Sequence, residues 1–313
     1  MHRSSSSRSH GSRSPSTRAC ASETDTGTQN ETIPIDRTIG LSGVGGRVAG
    51  PIRARHQTSG ENVAVHIETR GVPGVDGDDA ITVVTMDRQE RRNALEHQTL
   101  AELTAAVEGA AGRETRVLIL TGAGGHFCSG ADLTGVEDAS FAALLQGVLD
   151  RLRDVSFPTI AAIEGSALGA GAQLAVACDL RVATADASFG VPAAKLGLMV
   201  NHWTVQRMAA IAGPSAARAI LLAAEVIRGD QALRLGLVNR EGALPEALEW
   251  AAQIALLAPL TIAGHKLMLN RLEATPADDV DVAAAFERAW TSADFAEGID
   301  AFRNRRSPQF RGR

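Results

Sequence analysis

Residues 159–182 read TIAAIEGSALGAGAQLAVACDLRV, and the rest of the chain is organised around them. The run opens on Thr159-Ile160-Ala161-Ala162-Ile163, an apolar, β-branched stretch of the kind that forms a strand buried on both faces. Gly165, Gly169 and Gly171, with Ser166, Ala167 and Ala170 among them, then let the backbone turn sharply and come close to a ligand. Good helix formers follow at 172–177, and a further strand starts near Leu180. A helix entered through such a turn has unpaired N–H groups at its start, with only small side chains in the way. That end suits an anion, or a carbonyl oxygen gaining negative charge. Taken alone, the stretch is equally a structural strand-to-helix turn.

A second loop of the same kind shifts that balance. Residues 117–121, VLILT, form another buried strand, and GAGGHFCSGADL follows at 122–133. Two small-residue loops, each after a buried strand, can give one backbone N–H apiece to a shared oxyanion.

These motifs resemble the crotonase (enoyl-CoA hydratase/isomerase) superfamily. The resemblance is carried by Phe127-Cys128-Ser129-Gly130-Ala131-Asp132-Leu133, by Ile160-Ala161-Ala162-Ile163-Glu164-Gly165 with Ala167-Leu168-Gly169-Ala170-Gly171, and by Cys178-Asp179-Leu180. Arg92-Asn93-Ala94-Leu95, Phe189-Gly190-x-Pro192 and Lys195-x-Gly197-Leu198 fit the same pattern in order and spacing, over roughly residues 63–313. The resemblance implies an α/β fold: a ββα superhelix core followed by a C-terminal helical trimerisation region. It implies that the peptide N–H groups of Ala131 and Ala170 polarise the thioester carbonyl of an acyl-CoA. Alanine at 170, where glycine is usual, costs little, because the donor is backbone. The implied substrate-binding set is Arg91, Arg92, Ala94, Ser129, Ala131, Asp132, Leu133, Ala170 and Trp203. Coenzyme A enters only as part of the ligand; no further cofactor and no metal is expected. The implied partners are further copies of the chain, as a trimer or a dimer of trimers, and enzymes of fatty-acid synthesis.

The 313 residues suffice for one large domain or two small ones, and 44% hydrophobic residues support a packed core. A net charge of −5 argues against a nucleic-acid partner, which calls for a basic face. No apolar run approaches the roughly 20 residues of a membrane helix. Cys20, Cys128 and Cys178 are odd in number and widely spaced, which suits a reduced compartment; a cytoplasmic location is expected. Cys128 and Cys178 read as inert packing residues. Residues 1–60, rich in Ser and Arg, cannot bury a core and read as a disordered extension. A tail or an early-assigned start is preferred there over an organelle transit peptide. The remainder divides into a core at 61–205 and a helical region at 206–313.

Within the core, VAVHIET at 63–69 and ITVVTM at 81–86 read as a hairpin around the turn residues of 71–79. Amphipathic helices are predicted over 93–108 and 141–155. Strand, strand and helix therefore recur every forty to fifty residues or so. Further helices are predicted at 203–212, 215–224, 230–234, 245–257, 261–274 and 280–292. Arg88, Arg91 and Arg92 crowd the entrance of the first helix. They form either a solvated basic cluster or, as the resemblance implies by placing the adenine pocket nearby, a set of which some meet the phosphates of a bound CoA.

The resemblance also says what is missing. Hydratases of the superfamily use two glutamates to activate water and to protonate the α-carbon. Their positions are occupied here by Gln173 and Ala193. Neither residue can move a proton near neutral pH. One positioned acid or base is worth about 10²–10⁴ in rate, so the loss of both disables hydration while the backbone donors survive. Where hydratases run Pro-Gly-x-Gly-Gly after the Gly-Leu pair, Met199-Val200-Asn201-His202-Trp203-Thr204 stands instead, altering the acyl channel. These departures resemble an actinobacterial enoyl-CoA hydratase-like subgroup associated with long-chain acyl-CoA binding. The leading expectation is an acyl-CoA-binding member with weak or absent hydration. The alternative is an active hydratase or isomerase with relocated acid/base groups, His202 before His126. A third reading is another thioester reaction, decarboxylation or hydrolysis, run by the oxyanion donors. Asp132, Glu164 and Lys195 read as structural.

Overall fold

The structure, a computed structural model, describes residues 54–57, 63–133, 139–272, 287, 290–306 and 308. Strand β1 (Ala54–Gln57) leads into β2 (Val65–Arg70) and β3 (Ile81–Met86), and these three pair antiparallel. The β2–β3 pair is the hairpin expected at 63–86. Residues 54–57 lie inside the extension expected to be disordered, so the folded part begins earlier than the low-complexity boundary at 60. The rest of residues 1–60 lies outside the described residues.

A 3-10 turn (Gln89–Arg91) and helix α1 (His97–Ala111) precede β4 (Val117–Gly122), and α2 (Ala139–Asp154) precedes β5 (Thr159–Ile163). Then follow β6 (Ser166–Leu168), α3 (Ala170–Ala177), β7 (Leu180–Ala183), β8 (Ser188–Gly190) and a 3-10 helix (Pro192–Leu196). The C-terminal part is α4 (His202–Ala212), α5 (Pro214–Leu222), β9 (Val226–Arg228), α6 (Gly229–Arg234), β10 (Arg240–Glu241), α7 (Leu244–Ala255), α8 (Pro259–Leu272) and α9 (Ala293–Arg303). The helix expected at 280–292 falls largely outside the described residues.

The main sheet runs β1-β2-β3-β4-β5-β7-β10, parallel from β3 onward; the smaller one runs β6-β8-β9. Each successive unit gives one strand to each sheet: β5 then β6, β7 then β8. A parallel bridge from Cys128 to Ala167 lets the segment after β4 join the smaller sheet in the same way. This is the expected ββα repeat. Alternation along the strands sorts the core into two layers. Leu118, Leu120 and Ala161 face α1, α2 and α3, whereas Val117, Ile119, Ile160 and Val182 face Ala247, Ala251 and Ala255 of α7.

Helix α1 starts at His97, four residues later than predicted. Arg92 and Asn93 have left-handed backbones (φ 52° and 57°) that no helix contains. The Asn93 amide explains the turn. It accepts from Arg88 N and donates to the carbonyls of Ala123 and His126, stitching the segment to the loop after β4.

Two buried cations fix the scaffold behind the site. Arg181 donates to the carbonyls of Leu237, Ala175, Cys178 and Asp179, closing the C-terminal end of α3 where a positive charge is favoured. Lys266 of α8 spends its ammonium on Asp179 (2.7 Å), Phe157 O (3.0 Å) and Leu152 O (3.1 Å). Asp179 in turn accepts from the Thr159 backbone and hydroxyl, so one carboxylate ties α8 to the start of β5. Among the described residues, no single helix is long and apolar enough to cross a membrane.

Candidate active site

The two small-residue loops meet at the N-terminal end of α3. Leu168 N donates to Cys128 O at 3.0 Å, and Cys128 N donates to Ser166 O at 2.7 Å, a parallel ladder between the loops. Gly171 permits this approach: a Cβ there would lie 2.3 Å from Cys128 O. Gly130 (φ 113°) sits at the crossing point. A Cβ on it would lie 3.0 Å from Leu168 O and 3.8 Å from the amide nitrogen of Ala170.

Peptide planarity then fixes where two N–H groups point. Gly130 O accepts from Leu95 N at 2.8 Å, and in a trans peptide the next N–H points the opposite way, so the Ala131 N–H faces away from Leu95. Gly169 O accepts the first helical bond from Gln173 N at 3.1 Å, so the Ala170 N–H points outward from the helix start. Helix α3 begins at Ala170, two residues earlier than predicted, which makes Ala170 its first residue. Neither amide has a hydrogen-bond partner among the described residues.

Both alanines line a cavity of about 710 Å³. Of the expected substrate-binding set, Arg91, Arg92, Ala94, Ser129, Ala131, Asp132, Leu133 and Ala170 line it together, as do Gln173 and Ala193. Arg91 and Arg92 are exposed. Ser129 is held by its hydroxyl to Arg91 O and by its N–H to Arg92 O. Asp132 is the one carboxylate among the described lining residues, and Arg88 reaches it at 3.3 Å. Arg88 also binds Glu96 at 3.0 Å and Ala94 O at 2.6 Å, so of the three arginines at this entrance it is the one committed to bracing the loop.

Trp203 and His202 are not among the lining residues. His202 is the first residue of α4, and Trp203 lies under the Arg153 guanidinium, 5.9 Å from its ring centre, beside a separate cavity next to α8. His126 accepts from Ser166 N through Nδ1 at 3.4 Å and is also absent from the lining. Burial pushes the thiols of both Cys128 and Cys178 up to about 12, the first against a weaker hydrogen bond from Gly130, the second aided by Asp179. Neither is a nucleophile near neutral pH.

The structure adds residues that the sequence did not single out. Phe141 and Leu145, one helical turn apart on α2, form an apolar wall with Met199 and Val200. Their i, i+4 spacing was the available signal. Trp290 and Phe302 close the wall from far along the chain; Trp290 Nε1 donates to Met199 O at 3.0 Å. Thr204, fully buried on α4, donates its hydroxyl to Gln173 Oε1 at 3.0 Å. Nothing local in the sequence marks that pairing. Among the described residues, no group of three His, Cys, Asp or Glu is placed to hold a metal ion.

The sequence model of the enoyl-CoA hydratase/isomerase family matches residues 76–313. The chain is 41% identical over 244 residues to a probable enoyl-CoA hydratase, echA6, of Mycobacterium tuberculosis, a match covering 76% of this chain and 99% of that protein. It is 34% identical over 250 residues to a crotonyl-CoA hydratase of Syntrophomonas wolfei, covering 74% and 95%. Among solved structures, it is similar to an enoyl-CoA hydratase/carnithine racemase from Magnetospirillum magneticum. That match has a TM-score of 0.62 and 31% identity, and covers 81% of this chain and 97% of that one.

Proposed function

Because the chain belongs to the enoyl-CoA hydratase/isomerase family, we propose that it binds acyl-CoA thioesters in fatty-acid metabolism and hydrates them weakly or not at all. The thioester carbonyl sits between the amides of Ala131 and Ala170, which polarise it as an oxyanion hole does. The observation that carries this reading is the pairing of those two N–H groups with Gln173 and Ala193 in one cavity wall. The carbonyl can be gripped and polarised. Beside it stand an amide and a methyl group, neither of which takes or delivers a proton. Asp132, the one carboxylate among the described lining residues, is engaged by Arg88.

The remaining wall fits a ligand with one charged and one apolar end. Arg91 and Arg92 suit the phosphates of coenzyme A. Phe141, Leu145, Met199 and Phe302 suit an acyl chain. We further propose assembly as a trimer or a dimer of trimers. Exposed Leu260, Leu269 and Leu272 of α8, at 87%, 60% and 83%, give apolar surface for such a contact.

The test is a paired measurement on the natural protein and on Gln173→Glu/Ala193→Glu. The natural protein binds acyl-CoA while the absorbance of crotonyl-CoA stays flat. The double variant gains hydration by two orders of magnitude or more, about the worth of one acid/base group. Rapid hydration by the natural protein would end this reading and favour an active hydratase with relocated acid/base groups. His202 has little support as the base in that case, since it is not among the lining residues.

A further inference from the structure

We propose that Gln173 selects the ligand: its amide is locked with the N–H side toward the cavity, so the site prefers acyl thioesters bearing an oxygen on C3. The inference rests on the acyl-CoA reading above and deepens it.

Gln173 lies three residues after Ala170 on α3, which puts both on one face of the helix. Side chains on a helix lean toward its N-terminus, so Gln173 leans back toward the Ala170 amide. The residue is 8% exposed and lines the cavity. Its Oε1 accepts from the Thr204 hydroxyl. Thr204 is 0% exposed, and its hydroxyl hydrogen needs an acceptor. Turning the Gln173 amide over would set N–H against that hydroxyl and leave the hydrogen unpaired in a dry place, which is costly. The amide therefore keeps Oε1 toward α4 and Nε2 toward the cavity, where Nε2 has no partner among the described residues.

Thr204 itself is held. Its backbone N–H donates to Asn201 Oδ1 at 2.8 Å, Asn201 Nδ2 donates to Gln146 Oε1, and Gln146 Nε2 donates to Asp150 Oδ1 at 2.8 Å. A carboxylate only accepts, so Asp150 orients the Gln146 amide, and through it the Asn201 amide that caps the helix carrying Thr204.

With a thioester oxygen at the Ala131 and Ala170 amides, C3 stands two bonds beyond the carbonyl carbon. An oxygen on C3 then falls within the span of one helical turn, where Gln173 offers its donor. A saturated or enoyl chain leaves that N–H facing carbon, unpaired and stripped of water. A 3-oxoacyl thioester pairs it. No proton is transferred.

The experiment compares the affinities of acetoacetyl-CoA and butyryl-CoA, equal in chain length, for the full chain by calorimetry. Acetoacetyl-CoA is expected to bind about tenfold more tightly, the worth of one hydrogen bond in a dry site. Gln173→Leu should bring the ratio to about one, and Thr204→Val, which frees the amide to turn, should lower it part of the way. Equal affinities in the natural protein overturn the inference without recourse to any variant, as does an unchanged ratio in a folded Gln173→Leu. Failure of both thioesters to bind overturns the acyl-CoA reading itself, a different result.

Discussion

Replacing Gly171 by alanine tests whether the close approach of the two loops is what aligns the amides. The added methyl carbon would start 2.3 Å from Cys128 O, 2.8 Å from Cys128 Cβ and 2.9 Å from Cys128 C. Real contacts of this kind stay beyond 3.0 Å, so α3 or the Cys128 segment must retreat by about 0.7 Å. Both are backbone in the middle of a buried core, so no side chain can swing away to absorb the strain. Overpacking of this sort costs about 1–3 kcal/mol in stability. The shift also pulls the Ala170 amide from the Ala131 amide by a similar distance, enough to spoil one of two hydrogen bonds to a shared oxygen. Acyl-CoA affinity should therefore fall about tenfold. Thermal unfolding and calorimetric titration on one preparation read both effects, and they should appear together because they have one cause. Gly109→Ala is the control: on α1 it meets nothing within 4 Å, so it should stabilise by about 0.5–1 kcal/mol and leave affinity alone. A Gly171→Ala protein with natural melting temperature and natural affinity would refute the account of how the site is assembled.

Two further outcomes follow from the chemistry around the cavity. Arg91→Gln and Arg92→Gln should each weaken acyl-CoA binding roughly threefold to tenfold at low salt, while binding of the matching acyl-pantetheine is untouched; an equal loss for both ligands would remove the phosphate role. With a pKa of about 12, Cys128 and Cys178 carry roughly one thiolate in 10⁴ at pH 8, so peptide mapping should find both unlabelled by iodoacetamide in the folded protein and labelled after unfolding. The sign of the linkage is that unfolded thiols ionise from about pH 9 while these do not. Alkaline pH thus favours unfolding, and labelling that appears well below pH 9 in the folded protein would contradict their burial.

The strands were legible because each carries its own instruction. The runs at 117–121 and 159–163 are apolar on both faces, as a strand buried in a parallel sheet requires, and ITVVTM at 81–86 reads as a hairpin strand because turn residues precede it; the observed ranges agree to a residue. The start of α1 was not legible, because left-handed Arg92 and Asn93 depend on carbonyls some thirty residues away. The expectation that Trp203 joins the site came from its place within the altered segment at 199–204. That segment divides: Met199, Val200 and Asn201 line the cavity, and once α4 begins at His202 the next residues turn to other neighbours.

The sequence by itself determined the family, the ββα order and that Gln173 and Ala193 stand where the family's hydratases carry glutamates, since these are written in local pattern and in glycines that tolerate no side chain. Only the tertiary structure decided which way the two peptide N–H groups point, which arginine is tied up in bracing a loop, and how the Gln173 amide is turned. Each of those depends on a partner far away in the chain, and a hydrogen bond has a direction that residue identity alone does not carry.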